Sequence, residues 1–363
     1  MLRLALTSSQ SLSRANRVSG LGCMMGTGLA AAGLFVAGLF SAGCAASSAS
    51  APAASPEAPA PGASGAGNPF AGISMYRAPY SNAENAQKQA EQASPADAAL
   101  LGKIAAQPQA SWFGSWSGDI GTVVTNYVNA AEKAGELAVL VAYNVPNRDC
   151  GQYSAGGATD SDAYATWIQG FANGIGERRA VVVLEPDAIP LLKQCLSEAD
   201  QAKRLELIRN AVEVLEAKPG VDVYIDAGHS NWVPSAEMAE RLKLAGVEKA
   251  RGFSLNVSNF EADPQLIEYG KSVVAALGGD KHFIIDSSRN GNGPAPSSVN
   301  EFWCNPEGRA LGRPPSGDTG VPELDAFVWI KRPGESDGEC KSGPPAGQWF
   351  QARAVEMARN AKW

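Results

Sequence analysis

The chain has 363 residues, of which 45% are hydrophobic, and it carries a formal net charge of −7 at pH 7. Its length allows one or two domains with a large apolar core. The acidic balance argues against nucleic acid or an anionic membrane surface as a partner. Only two histidines are present, His229 and His282. This small number excludes metal sites built on several histidines and disfavours a Ser-His-Asp hydrolase. Any chemistry is therefore expected to rest on carboxylates.

The first 44 residues have the features of an export signal. Three arginines and no acidic residue precede the apolar stretch 27–40, and small residues follow it. The stretch is too short and too rich in Gly and Ala for a membrane span. Cys44 stands after Ser-Ala-Gly, which is similar to the lipobox of bacterial lipoproteins, although Ser41 occupies the usual Leu position. Lipid attachment at Cys44 and ordinary cleavage followed by free secretion both stay open.

Residues 45–67 consist almost entirely of Ala, Ser, Pro and Gly. Such a segment buries little apolar surface, so we expect a disordered linker or tether. Removal of the signal takes away three of the 30 basic residues and leaves all 37 acidic ones, so the mature chain has a net charge of −10. Residues 68–363 are expected to form a single folded domain.

Six apolar runs predict β-strands. They alternate with amphipathic segments in which apolar residues recur at spacings of three and four, as in helices. Strand–helix alternation predicts parallel strands joined by right-handed crossovers, in a barrel or an open sheet. The Gly- and Pro-rich stretch 289–324 is predicted to be a long loop. The strand runs are 137–143, 180–186, 221–228, 252–259, 282–288 and 326–333, and three of the predicted helices are 164–178, 202–218 and 235–246.

Polar residues follow each apolar run. Functional sites in parallel α/β folds gather at the C-terminal ends of the strands, so these side chains are expected to share one face. Clustered carboxylates without a cofactor motif indicate either glycoside hydrolysis or metal-dependent phosphoryl chemistry. Four tryptophans in loop-like contexts favour carbohydrate, because aromatic rings stack on sugar rings, although core packing is the alternative for each. They are Trp112, Trp116, Trp232 and Trp303.

Four cysteines lie outside the signal, and export makes two disulfides the expected state. Sequence order suggests the pairs 150–195 and 304–340, while three pairings are formally open. No CxxC or CxxH spacing and no phosphate-binding glycine loop after a strand is present, so neither zinc nor a nucleotide is predicted. The cysteines are Cys150, Cys195, Cys304 and Cys340.

Six motifs, in chain order, resemble those of glycoside hydrolase family six, the cellulases. The resemblance covers about residues 70–363 and implies a distorted parallel β/α barrel of about seven strands, with the active site at the C-terminal strand ends. It also implies β-1,4-glucan hydrolysis with inversion at the anomeric carbon and without a cofactor or metal. The motifs are VAYNVPNRDCGQYSAGG (141–157), VVVLEPDAIP (181–190), DAGHSNW (226–232), RGFSLNVSNF (251–260), the pair 303–304 and WIKRPGESDG (329–338).

The resemblance implies a role for individual residues. Asp187 matches the general acid, Asp149 the aspartate that helps to hold the proton and the water, and Asp337 the proposed base. Tyr143 matches a tyrosine near the distorted sugar, and Ser154 a serine that holds the water. Asp226 matches a supporting carboxylate and is counted with the substrate-binding set. The other residues of that set are Trp112, His229, Trp232, Asn259, Trp303, Lys331 and Glu335, and the family's disulfides match 150–195 and 304–340.

The implied mechanism requires two of these carboxyls to have opposite protonation states. Asp187 must be protonated near neutral pH, although a free Asp has a pKa near 3.9. Desolvation by the apolar stretch 189–192 and the charge of Asp149 are expected to raise its pKa. Asp337 must stay ionised, and Lys331 and Arg332 are the candidate cations. Two further carboxyls, Glu185 and Asp286, are expected to be structural, the latter paired with Arg289.

The combined prediction is a secreted or surface-tethered inverting endo-β-1,4-glucanase, monomeric and without a protein partner. About a dozen residues separate Asp337 from Trp349, which leaves little chain to roof the cleft and favours internal cleavage. Two alternatives stay open: a cellobiohydrolase of the same family, and a non-catalytic carbohydrate-binding surface protein on the same scaffold.

Overall fold

The computed structural model describes residues 67–363. The predicted export signal with Cys44, and the predicted linker up to residue 66, lie outside the described residues. None of the helices within 67–363 has the length and apolar character needed to cross a bilayer.

Seven parallel strands form one sheet in the described part of the chain, and their spatial order follows the sequence order. The two sheet edges approach each other, because the backbone N–H of Ala110 donates to the carbonyl of Trp329 at 2.9 Å. The curled sheet confirms the predicted distorted barrel. The strands are β1 (Ser111–Phe113), β2 (Ala138–Ala142), β3 (Ala180–Leu184), β4 (Val221–Asp226), β5 (Gly252–Leu255), β6 (His282–Asp286) and β7 (Leu324–Val328).

Helices follow most of the strands and pack around the sheet. The three helices predicted by periodicity are found as α4, α6 and α7. Residues 287–323, all of them described, contain neither helix nor strand, which confirms the predicted long loop. The helices are α1 (Asn82–Ala93), α2 (Pro95–Ala105), α3 (Ile120–Ala134), α4 (Ser161–Ile175), α5 (Leu192–Cys195), α6 (Glu198–Glu216), α7 (Ser235–Leu244), α8 (Asp263–Leu277) and α9 (Gln351–Asn360).

The central strands are buried on both faces. In β3, Val181 and Val183 pack inside the barrel together with Val141 of β2. The alternate residues Val182 and Leu184 belong to the core beneath the outer helices. Double burial explains why these strands read as continuous apolar runs rather than as alternating patterns.

The structure corrects the predicted context of Trp112, which lies in strand β1 and not in a loop. β1 has three residues, too few for a periodic pattern to stand out in the sequence. The observed strands also end earlier than the predicted runs. β3, for example, ends at Leu184, because Glu185 leaves the extended conformation with φ +49°.

Candidate active site

A cavity of about 730 Å³ opens at the C-terminal ends of the strands. Its wall contains carboxylates, aromatic rings and amide side chains that come from distant parts of the sequence. Of the residues predicted for catalysis and sugar binding, all but Asp226 line it. They are Trp112, Tyr143, Asp149, Ser154, Asp187, His229, Trp232, Asn259, Trp303, Lys331, Glu335 and Asp337.

Asp187 enters the cavity from a sharp turn after β3. Glu185 and Asp187 both have left-handed backbone conformations, with φ +49° and +68°. A non-glycine residue in this region is strained by about 1–2 kcal/mol, so the surroundings must hold it there. The backbone N–H of Asp187 donates to Oδ2 of Asp226 at 2.9 Å. This bond supports the turn that presents the Asp187 carboxyl to the cavity.

Glu185 lies behind the cavity wall and is 1% exposed. Its carboxyl accepts the backbone N–H groups of Asn144 and Val145 at 2.9 and 3.0 Å, which ties the end of β3 to the end of β2. Burial raises the pKa of Glu185 to about 7. These contacts agree with the structural interpretation of this residue.

The pKa of Asp187 lies well above its ordinary value. Burial is the largest cause, followed by the negative charges of Asp226 and Asp149. Burial also raises the pKa of Asp226 to about 7, against the hydrogen bonds it accepts from the backbone of Asp187 and Gly228. Asp226 is 1% exposed and lies beneath the cavity. The structure therefore corrects its predicted place among the sugar contacts.

Asp337 has the opposite environment. Nη1 of Arg289 lies 2.9 Å from both carboxylate oxygens, and Nζ of Lys331 lies 3.4 Å from Oδ1. Burial alone would raise the pKa of Asp337, but these two cations outweigh it and hold the pKa below the ordinary value. Arg332, the other predicted cation, pairs with Glu335 at 3.2 Å instead, so that part of the prediction is wrong.

The predicted pair between Asp286 and Arg289 is also wrong, because Arg289 is engaged with Asp337. Asp286 instead accepts backbone N–H groups, including those of Ser258 at 3.1 Å, Ser288 at 3.0 Å and Lys331 at 2.8 Å. Its buried carboxylate thus joins the segments that follow β5, β6 and β7. These contacts agree with a structural role that acts through backbone groups.

Asn305 holds the backbone of Asp337 in place, which the sequence did not reveal. The N–H of Asp337 donates to Oδ1 of Asn305 at 2.9 Å, and the N–H of Asn305 donates to Oδ2 of Asp337 at 3.0 Å. The adjacent Cys304 forms a disulfide with Cys340. A reciprocal pair of bonds and a covalent link therefore restrain the loop that carries Asp337.

The loop after β2 carries Asp149 in a left-handed conformation with φ +55°, and Cys150 beside it has φ +49°. A disulfide joins Cys150 to Cys195 at the end of α5. The N–H of Ser154 donates to Oδ2 of Asp149 at 2.7 Å. Burial raises the pKa of Asp149 in spite of that bond. Both disulfides have the pairing suggested by sequence order.

Comparison with known proteins agrees with this arrangement of strands. Residues 70–361 match the family described as glycosyl hydrolases family 6. The chain belongs to this family. The match spans the whole barrel and every residue that lines the cavity, so the predicted family is confirmed.

The curated relatives of this family 6 member include endoglucanases. Endoglucanase A of Cellulomonas fimi is 45% identical over 273 residues, which are 75% of this chain and 58% of that protein. The chain thus spans little more than half the length of that relative. Endoglucanase 1 of Streptomyces halstedii is 44% identical over 289 residues, 77% of this chain and 87% of that protein.

A solved structure shows the same fold. The endoglucanase Cel6 from Mycobacterium tuberculosis, determined in complex with methyl-cellobiosyl-4-deoxy-4-thio-β-D-cellobioside, superposes with a TM-score of 0.77 at 42% identity. The alignment covers 81% of this chain and 99% of that chain.

Arg148 joins the Asp149 loop of this family 6 member to the barrel, and no local pattern in the sequence indicated this role. Its guanidinium donates to the carbonyls of Tyr143 at 2.9 Å, Ser154 at 2.7 Å and Ala155 at 3.0 Å. The group also lies 4.6 Å from the centre of the Tyr143 ring. Arg148 therefore positions both ends of the loop that contains Asp149.

His229 and Trp232 form another part of the cavity wall, with ring centres 5.3 Å apart. Burial lowers the pKa of His229 to about 4, so its imidazole is neutral at pH 7. The side chain of Asn231 donates to Oε2 of the nearby Glu261 at 2.7 Å. This side of the cavity is thus uncharged apart from a carboxylate set behind it. Among residues 67–363, no three His, Cys, Asp or Glu side chains are grouped to hold a metal ion.

Tyr153 connects two loops that the sequence did not place together. Its hydroxyl donates to Oε1 of Glu301 at 2.8 Å, and its ring centre lies 6.0 Å from that of Trp303. Gly338 permits the contact, because a Cβ atom there would lie 2.3 Å from Cγ of Tyr153. The loop after β2 therefore touches both the loop after β6 and the Asp337 loop.

Proposed function

We propose that this protein is an inverting endo-β-1,4-glucanase that cleaves internal bonds of cellulose or related β-glucans. The observation that carries the proposal is that the pKa values of two carboxyls in one cavity are shifted in opposite directions. The pKa of Asp187 lies well above its ordinary value, and that of Asp337 lies below it. Hydrolysis of a glycosidic bond with inversion needs one protonated carboxylic acid and one carboxylate on opposite sides of the sugar.

In the proposed reaction, Asp187 donates its proton to the glycosidic oxygen as the bond to the anomeric carbon breaks. A water attacks that carbon from the other face and loses its proton to Asp337 as general base. Asp149 disfavours ionisation of Asp187 through its charge and, with the Ser154 loop, helps to place the water. Tyr143, in the cavity wall, is proposed to face the distorted sugar.

The remaining cavity residues are proposed to bind the glucan chain. Aromatic rings stack on the CH-rich faces of glucosyl units, while polar side chains hydrogen-bond their hydroxyls. The thio-linked cello-oligosaccharide in the M. tuberculosis relative supports this ligand class. The proposed stacking residues are Trp112, Trp232 and Trp303, and the proposed polar contacts are His229, Asn259, Lys331 and Glu335.

Internal cleavage is supported by two observations. Curated relatives at 44–45% identity are named endoglucanases, and few residues are available after Asp337 to cover the cleft. One observation favours the alternative, a cellobiohydrolase, whose chain-end specificity requires loops over the cleft. Tyr153 bridges two loops at the cavity through Glu301 and Trp303.

The decisive experiment combines viscometry of carboxymethylcellulose with a count of new reducing ends. An endoglucanase lowers the viscosity steeply for each bond cleaved, while a cellobiohydrolase releases reducing ends with little loss of viscosity. Proton NMR of fresh products from a cello-oligosaccharide should show the α-anomer first. A β-anomer as the first product would contradict inversion, and the absence of hydrolysis would favour a carbohydrate-binding protein.

We further propose that residues 68–363 are the catalytic domain of a monomer that acts outside the cell. Residues 1–44 are proposed to direct export and 45–67 to act as a linker. The acidic chain and its carbohydrate-directed cavity support an extracellular site of action on insoluble or soluble glucan. Mass spectrometry of the mature N-terminus distinguishes a lipidated Cys44 from an unmodified, cleaved chain.

A further inference from the structure

Trp116 combines exposure with a fixed position at the cavity. Its side chain is 55% exposed, and it forms part of the cavity wall. A single exposed aromatic residue is common on protein surfaces and requires no explanation by itself. Two contacts of this ring, however, restrict its position.

Two neighbours hold the ring. A Cβ atom on Gly114 would lie 2.3 and 2.5 Å from Cζ3 and Cη2 of Trp116, so the six-membered ring rests directly on the Gly114 backbone. The guanidinium of Arg148 lies 4.9 Å from the ring centre. Arg148 is itself fixed by three carbonyls. Because these contacts restrict the ring in the free protein, stacking on its exposed part requires little further loss of side-chain entropy.

Trp116 ends a continuous row of contacting groups that begins at Trp112. Trp112 packs edge-on against Tyr143 with ring centres 5.2 Å apart. The Arg148 guanidinium lies 4.6 Å from the Tyr143 ring and 4.9 Å from the Trp116 ring. The row runs from strand β1 through Arg148, the neighbour of Asp149, to the segment between β1 and α3. A chain that fills the cavity can therefore meet a second fixed indole at its rim.

We propose that Trp116 is an additional sugar-binding platform, which takes one glucosyl unit of a β-1,4-glucan chain beyond those bound in the rest of the cavity. The inference rests on the proposed function and extends it to the length of chain that the site holds. A flat indole with an open face suits the apolar face of a pyranose ring. Such a platform binds the ground state and the transition state equally, so it acts on KM and not on kcat.

The test compares wild type with Trp116→Ala on a ladder of cello-oligosaccharides from cellotetraose to cellohexaose. Stacking of this kind corresponds to roughly tenfold in affinity. We expect kcat/KM on cellohexaose to fall roughly tenfold through KM, with little change on the shortest oligosaccharide that is cleaved. An equal loss on every oligosaccharide, or no loss at all, would overturn the platform. An equal loss would instead indicate that Trp116 acts only as a cover for Arg148.

Two further variants separate stacking from simple bulk. Trp116→Phe should recover most of the chain-length dependence, whereas Trp116→Leu should behave like Trp116→Ala, because only an aromatic ring offers a flat face. Tyr80→Ala is the matched control, since Tyr80 is 75% exposed and is not among the residues that line the cavity. It should leave all rates unchanged.

Calorimetric binding of cellohexaose and cellotetraose keeps this inference distinct from the proposed function, and any protein that hydrolyses them is measured with the additional substitution Asp187→Ala. If wild type binds but hydrolyses neither oligosaccharide, the proposed activity fails while the platform is still tested. A selective loss of cellohexaose affinity in Trp116→Ala supports the platform. Unchanged affinity for cellohexaose refutes it, whatever the enzyme does catalytically.

Discussion

The backbone N–H of Asp187 donates to the carboxylate of Asp226 at 2.9 Å, across the C-terminal ends of β3 and β4. This bond holds Asp187 in a left-handed conformation with φ +68°. After burial, the charge of Asp226 is the largest cause that raises the pKa of Asp187. Asp226 therefore both orients the proposed acid and favours its protonated form, although it does not line the cavity.

Replacement of Asp187 by Ala should remove general acid catalysis. We expect kcat on cello-oligosaccharides to fall by about 10²- to 10⁴-fold, the usual contribution of such a group. On substrates with an activated aryl leaving group the fall should be much smaller, because that leaving group departs without a proton. Steady-state rates on both substrate classes give the answer. Equal falls on the two would exclude Asp187 as the acid.

Asp226→Asn should change the pH dependence more than the fold. The amide keeps an acceptor for the Asp187 N–H but removes a negative charge, so the pKa of Asp187 should fall. Activity is lost as the pH rises through the pKa of the acid, and the alkaline limb of the kcat/KM profile should therefore move to lower pH. An unmoved limb with a uniformly reduced rate would assign Asp226 a purely structural role.

Arg289→Gln should affect the acidic limb. Loss of the guanidinium raises the pKa of Asp337, and a general base must be deprotonated, so the acidic limb should move to higher pH. Because the pair is buried, we also expect a loss of about 3–5 kcal/mol in the free energy of unfolding. Arg289→Lys keeps the charge and serves as the control with a smaller shift. A pH profile identical to wild type would argue against Asp337 as the base.

The disulfide between Cys304 and Cys340 should stabilise the fold and the Asp337 loop together. The two residues are 36 apart in sequence, and closure of such a loop in the unfolded chain corresponds to about 3–4 kcal/mol. The double variant Cys304→Ser/Cys340→Ser should lose about that much in guanidinium unfolding, and it should lose activity because Asp337 is less restrained. Cys150→Ser/Cys195→Ser provides the comparison for the Asp149 loop. Wild-type stability in either of the two double variants would contradict this account.

Tyr153 is expected to influence how freely a chain enters the cleft. Tyr153→Ala removes both the hydrogen bond to Glu301 and the packing on Gly338, and it should increase the viscosity loss per bond cleaved on carboxymethylcellulose. Tyr153→Phe keeps the ring and should show a smaller effect. If the ratio of viscosity loss to new reducing ends is the same in all three proteins, the loop contact does not control access.

Sequence patterns predicted the strands and helices that have long apolar periods, and they placed most of the site at the strand ends. Motif order identified the family, since each motif is local and can be read without coordinates. Strand β1 was not predicted, because three residues are too few to show a periodic pattern. Arg332 and Arg289 were assigned to the wrong carboxylates because proximity in sequence says little about contacts between different loops.

By itself, the sequence determined the parallel α/β class, the family, twelve of the residues that line the cavity and the number of disulfides. These properties depend on local composition and on the order of motifs along the chain. Only the tertiary structure decided which cation faces which carboxylate, that Asp226 lies beneath the cavity and that Trp116 is fixed by Gly114 and Arg148. Electrostatic interactions between these groups act over a few ångströms. The pairs Asp187–Asp226 and Arg289–Asp337 are 39 and 48 residues apart in the chain, so they meet at that distance only once the barrel has closed.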